Sequence, residues 1–394
     1  MWRSALSETL SAPADSDRRA RWGVIGYFVA TGAALGTWTS RIPAIKQDLG
    51  LDDGQVTVAL FAIAVGSVLA MQVVGHLADR FGSARVLGPA GLAMAASLLV
   101  PGYAGSLPVL VGGLVLFGAG HGVVDVAMNA HAMQVQRRYS RPIVITFHAL
   151  FSVGGLIGSG VGAVAAQLST PVSLHFTLAA IALALLVEAS RRRLLPAEPQ
   201  EAAERSRARG MSPAILLLGV LAFSCSLGEG SMADWSPLYL HDELRTSPAI
   251  AAIGYAVFST MMAICRFLGD HLVARFGPVV LVRTCGLIAG VGMGAGLLAH
   301  HPVAAIIGFA LFGIGLSCII PQVFSAAGSR DPARAGRDLA QVSTLGYGGL
   351  LAGPVVIGVI THWTDLTTAL LIPAALALVV ALTAPIVRPR PVRG

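Results

Sequence analysis

Twelve apolar runs, each close to 20 residues or longer, follow one another along the chain, at residues 22–40, 55–77, 84–102, 107–134, 143–167, 171–189, 212–233, 248–270, 279–299, 303–325, 341–362 and 366–387. A helix needs about 20 apolar residues to cross a bilayer, so each run is long enough to span one. A chain of 394 residues with this much of its length in such runs cannot bury them all in a water-soluble core. Composition agrees: 55% of residues are hydrophobic and 12% charged, roughly half the charged share of a soluble chain. A transmembrane barrel would show alternating segments of about ten residues, whereas these runs are continuous. The expected fold is an all-α integral membrane protein with twelve transmembrane helices.

Charge sets the expected orientation. Net charge is +7, and 26 of the 27 basic residues are arginine. With the N-terminus inside and twelve crossings, 23 basic residues fall on the cytoplasmic side, among them Arg137, Arg138 and the run Arg191 to Arg193. Only Arg41, Lys46 and Arg245 fall outside, and Arg266 lies within a span. Short cytoplasmic loops of membrane proteins carry this excess, so the basic charge reports topology and no nucleic-acid partner is expected. Both termini are expected in the cytoplasm. The first 21 residues are polar and Arg-rich, without the apolar stretch of a cleavable signal. All four cysteines (Cys225, Cys265, Cys285, Cys318) fall in spans, with neither disulfide nor metal spacing.

The chain repeats itself. Leu116–Gly120 (LFGAG) recurs as Leu311–Gly315 (LFGIG), and Arg80–Gly82 recurs as Arg275–Gly277, both at an offset of 195. Gly154–Gly158 resembles Gly348–Ala352 at 194, and Trp38-Thr-Ser resembles Trp235-Ser-Pro at 197. The expected organisation is a tail (1–21), a six-helix half (22–190), a charged linker (191–211), a second six-helix half (212–388) and a short tail (389–394).

Two six-span halves in parallel register resemble the major facilitator superfamily. The loop after the second span makes the resemblance specific: Gly75-His-Leu-Ala-Asp79-Arg80-Phe-Gly82-Ser-Ala-Arg85 is similar to the superfamily signature, with Ser83 and Ala84 interrupting its basic end. The second half carries a degraded copy, Gly269 to Gly277, with Ala274 at the position of Asp79. Trp38–Lys46 (WTSRIPAIK), Asp125–Ala132 (DVAMNAHA), Phe147–Gly155 (FHALFSVGG) and Ala233–Leu240 (ADWSPLYL) look like the bacterial YbjJ-type permeases, which neighbour the fucose-permease branch. The resemblance implies a transporter of the bacterial cytoplasmic membrane that works as a monomer by alternating access. It also implies proton-linked movement of a small polar solute such as a sugar, and a cytoplasmic lock at Asp79.

Several residues are candidates for the chemistry. His121, Asp125 and Asn129 recur every four residues and so share one helix face. Asp125 is about 27 Å from the outer end of its run and about 18 Å from Arg137 at 1.5 Å per residue. A carboxylate at that depth is expensive in lipid and marks function by default, although a structural hydrogen-bonded Asp remains an alternative. Its counterpart in the second half is Ile320. Glu229 lies between Gly228 and Gly230, where a broken helix is expected, as at many transporter sites. Asp125, Glu229, Asp234 and His148 are the proton-coupling candidates. Trp38, Arg41, His121, Asn129 and Trp235 are the substrate candidates, the two tryptophans being equally suited to the interfacial aromatic belt. Gly75, Asp79, Arg80, Gly82, Arg85, Arg266, Asp270 and Arg275 are the expected cytoplasmic gate, with Arg266 and Asp270 forming an ion pair at i, i+4.

No phosphate loop, nucleophile elbow or zinc-protease motif is present in the sequence, so neither an enzyme nor a cofactor is expected. The leading expectation is proton-coupled symport. A proton-antiport exporter of drugs or metabolites and a transporter-like ligand sensor are the alternatives.

Overall fold

The computed structural model describes residues 15–51, 53–196, 210–246, 248–331 and 334–389. Most of the N-terminal tail, most of the linker and residues 390–394 lie outside the described residues. Helices dominate: α1 (Asp15–Asp48), α2 (Asp53–Phe81), α3 (Ser83–Ser97), α4 (Leu99–Gly102), α5 (Leu107–Gln136), α6 (Val144–Gln167), α7 (Val172–Arg191), α8 (Pro213–Leu238), α9 (Pro248–Leu298), α10 (Pro302–Leu316), α11 (Ile319–Arg330), α12 (Ala335–Trp363) and α13 (Leu366–Thr383).

Eleven segments among the described residues are long and apolar enough to cross a membrane. α1 supplies the twelfth expected span. It is long but less apolar, its run diluted by glycine, threonine and tryptophan. Two spans are jointed, α3 running into α4 and α10 into α11. α9 contains two spans, broken at Gly277. There φ is +76°, a left-handed value that favours glycine, and Pro278 follows without an N–H to continue the ladder. Gly82 (φ +82°) makes the corresponding turn between α2 and α3. The repeated Arg-Phe-Gly is therefore a repeated helix–turn–helix, and these two turns mark one end of the molecule, here the glycine-turn end.

Buried apolar side chains form two clusters. One is drawn from α1–α7 and their loops, the other mainly from α8–α13. The principal pairings repeat as well, α1 lying on α6 as α8 lies on α12. Glycine makes both contacts close. A Cβ on Gly154 or Gly158 of α6 would collide with the carbonyl of Val29 or Ala33 on α1, and one on Gly349 of α12 with the carbonyl of Phe223 on α8. The two sets of helices meet through α2 against α12 and α6 against α9.

Candidate functional site

Between the two sets lies a cavity of about 400 Å³. Its walls are mostly apolar and aromatic, with Phe28 and Trp38 from α1, Phe151 from α6, Phe324 from α11 and Tyr347 from α12. Polar groups interrupt them at few points: His121 and Asp125 on α5, His148 on α6, Ser226 and Glu229 on α8, Arg266 on α9 and Ser343 on α12. Small-molecule sites have this character, apolar with a few placed polar groups.

Asp125 belongs to the cavity, and Ser343 lies beside its carboxyl from across the interface. Asn129, expected to touch substrate, does not line the cavity. It is buried and donates to the Asp125 backbone carbonyl at 2.9 Å and to its Oδ1 at 3.3 Å, so it positions the carboxylate. One turn the other way, His121 Nδ1 is 3.0 Å from the Tyr347 hydroxyl, a contact between the two sets of helices. The His121 Nε2 is buried without a partner. His148 lies edge-on to Phe28 on one side and to Phe324 on the other.

Glu229 also lines the cavity, but α8 is continuous through Gly228-Glu229-Gly230, so the broken helix expected there is absent. Helical irregularity falls instead in a π-turn at Tyr239–Glu243 and in the joint between α10 and α11. Asp234 is exposed and outside the cavity lining. Trp38 and Trp235 are not equivalent. α1 continues ten residues past Trp38 to Asp48, which leaves Trp38 buried against the cavity, while Trp235 packs beside Gly358 of α12 away from it. Arg41 is buried, is absent from the cavity lining and donates to the Thr170 carbonyl at 2.6 Å. It ties α1 to the segment leading into α7.

The glycine-turn end is closed by two carboxylates. α2 runs to Phe81, so Asp79 sits on its last turn rather than in a loop. It accepts from the backbone N–H groups of Gly336 (2.8 Å) and Arg337 (3.2 Å) at the start of α12. Gly75, one turn earlier, allows the approach, because a Cβ there would stand 2.9 Å from the Arg337 Cα. Asp270 on α9 does the same to α6. It accepts from the N–H groups of Ile145 (2.9 Å) and Thr146 (2.8 Å) and from the Thr146 hydroxyl. Each carboxylate meets the positive end of a helix and satisfies amides that the first turn leaves open.

The expected Arg266–Asp270 pair does not form. Arg266 points into the cavity instead, donating from Nη1 to Ser152 Oγ at 3.0 Å and standing 3.9 Å from Glu229. The gate arginines are peripheral to the locks: Arg80 stacks on Phe81 and Arg275 on Phe276, at 5.1 and 5.4 Å from the ring centres, and Arg85 is exposed beside a shallow groove. Tyr347, Ser343 and Ser152 escaped the sequence reading. Ser343 and Tyr347 share a helix face at i, i+4, a polar stripe that signals a cavity wall only once its partner helix is known.

Residues 23–349 match the profile of the Major Facilitator Superfamily. The chain belongs to that superfamily. Among curated relatives it is 32% identical over 369 residues to the uncharacterized transporter y4wD of Sinorhizobium fredii, covering 93% of this chain and 97% of the relative. It is 33% identical over 362 residues to an MFS-type transporter of Yersinia pestis, covering 91% and 93%. A solved structure of the major facilitator FucP in its outward conformation matches with a TM-score of 0.77 at 18% identity, covering 93% of this chain and 98% of FucP. A second FucP structure, described as the E. coli fucose:proton symporter, matches with a TM-score of 0.75 at 16% identity, covering 93% and 98%. This superfamily member is accordingly a multi-pass membrane transporter, not an enzyme.

Proposed function

We propose that the protein is a proton-coupled symporter that carries a small polar solute of sugar size into the cell across the bacterial cytoplasmic membrane. In this reading residues 22–190 and 212–388 are rigid halves that rock about the central cavity, and the glycine-turn end faces the cytoplasm with both termini. The protein works as a monomer. Asp125 carries the proton, with Glu229 as the second acidic group of the cavity.

The observation that carries this reading is a carboxylate on the cavity wall between the halves, in a molecule closed at one end by two carboxylate-to-amide locks. A carboxylate in that position can exchange its proton with one side of the membrane and then the other as the halves rock, which is what coupling requires. The likeness in fold to the E. coli fucose:proton symporter and the resemblance to YbjJ-type permeases support the solute class and the coupling. Reconstituted protein, screened with sugars and related polar solutes, should alkalinise the outer medium as solute enters. Accumulation of solute without proton movement would sink the coupling, and proton efflux linked to solute exit would favour the exporter.

A further inference from the structure

The least satisfied group of the cavity is Arg266. A guanidinium offers five N–H donors and no acceptor. Here one donor reaches Ser152 Oγ, the nearest carboxylate (Glu229) is 3.9 Å away, and Nε is buried with no partner. A separation of 3.9 Å is outside hydrogen-bond range, so Glu229 balances the charge without satisfying the donors. The Arg266 side chain is only 13% exposed, and buried donors without acceptors are costly. His148, from the opposite set of helices, brings a second buried ring nitrogen without a partner to the same cavity. Asp125 is differently placed, since Asn129 donates to its carboxyl.

We propose that the transported solute carries a carboxylate, and that Arg266 is its anchor. The inference rests on the transport reading above and narrows its substrate class. A carboxylate is planar and accepts only, and it matches the guanidinium fork with two parallel bonds. Phe151 and Tyr347 supply aromatic walls for the apolar face of a sugar acid or hydroxy acid. Binding has a mechanical consequence. Arg266 sits on α9 and Ser152 on α6, so their bond joins the two halves one turn from the Asp270 lock. A substrate carboxylate that takes up the guanidinium draws it from Ser152 and loosens this side of the closure.

It also displaces Glu229 as the counter-charge. The charged and titratable groups that share the cavity with Glu229 are Arg266 from α9, His148 from α6, Asp125 and His121 from α5, and Tyr347 from α12; Tyr255 on α9 lies near it outside the lining, and Cys225 lies one turn away on α8 itself. Only Arg266 among them is a fixed cation. The bound carboxylate then adds one negative charge to a mostly apolar cavity, and the proton that Asp125 carries in the reading above offsets it. Acid and proton therefore enter together.

The test uses purified full-length protein and matched probes: gluconate with sorbitol, glucuronate with glucose, and benzoate with benzyl alcohol. Calorimetry in buffers of differing ionisation enthalpy gives affinity and protons taken up. Proteoliposomes with an imposed pH gradient give accumulation. The expected result is binding of at least one acid but not of its neutral partner, with proton uptake. Arg266→Gln should weaken that acid about tenfold or more, as the loss of a charged anchor implies, and Arg266→Lys should weaken it less. Glu229→Gln, which leaves the guanidinium in place, should still bind the acid, and Asp125→Asn should bind it without proton uptake, a separation that misfolding could not produce. Neutral partners binding as well as the acids, acid binding unchanged in a folded Arg266→Gln, or no probe binding at all would each overturn the carboxylate inference. Acid binding without gradient-driven accumulation would leave the anchor standing and overturn symport, so the two readings fail separately.

Discussion

Asp125 and Asp270 show how differently two membrane carboxylates can be used. Asp270 is consumed by α6: two backbone amides and a hydroxyl take up its oxygens. Asp125 keeps part of its carboxyl toward the cavity, held from behind by Asn129. Asp125→Asn is therefore expected to keep the fold and solute exchange while abolishing accumulation against a gradient, because the amide can hydrogen-bond but cannot release a proton. Counterflow and proton-driven uptake measured side by side in proteoliposomes check this, and retained proton-driven accumulation refutes the proton role. The position of Asp125 was legible from its depth and its i, i+4 neighbours. The place of Asp270 at the gate was legible too, but its partner on α6 was not. Aligning the repeats at 195 residues places Ala274 opposite Asp79, whereas the carboxylate that locks the second half sits one helical turn earlier. A slip of one turn preserves the helix face, so geometry tolerates what residue-by-residue matching cannot see. Arg266 was misassigned for the related reason that i, i+4 spacing permits an ion pair without requiring one; Ser152 and the cavity competed for it.

At the scale of elements, the locks and the glycine seams make separate predictions. Asp79→Asn and Asp270→Asn each weaken one lock by replacing an ionised acceptor with a neutral one. Each should shift the population toward opening at the glycine-turn end, and the double variant should shift it further. Cysteine-accessibility labelling at both ends of the cavity measures the shift, and an unchanged labelling ratio in the double variant would refute the lock. The α1–α6 seam is a matter of stability. Gly158→Val would place side-chain atoms against the Ala33 carbonyl, and overpacking of this kind typically costs about 1–3 kcal/mol. A lowered unfolding temperature in detergent is expected, and an unchanged one would show that the seam yields. The seams were readable as small-xxx-small spacing. The end of α2 was not, because Gly75–Asp79 looks like a loop signature and only packing on α12 shows that the helix carries through it.

For the whole molecule, alternating access requires α2 and α12 to part. A Cβ at Gly336 would stand 3.0 Å from that of Ala78, close enough for an engineered bridge after a small shift. In the pair Ala78→Cys with Gly336→Cys, oxidation should stop transport and reduction restore it, as read by solute uptake before and after reductant; full transport by the oxidised protein would refute the rocking of halves. What the sequence determined by itself is the part of the structure set by local and repeated features. Apolar runs of span length can only be helices in lipid, since every backbone polar group must be satisfied within the segment. The recurring Arg-Phe-Gly and Leu-Phe-Gly motifs show that the helices come in two sets. What only the tertiary structure decided is which polar side chains of different helices face one another: His121 with Tyr347, Arg266 with Ser152 and Glu229, Asp79 with the start of α12. These residues lie up to 258 positions apart. Helix rotation, tilt and length within the membrane fix their meetings, and a rotation that brings Arg266 into the cavity is set by packing against neighbouring helices, which no single span encodes.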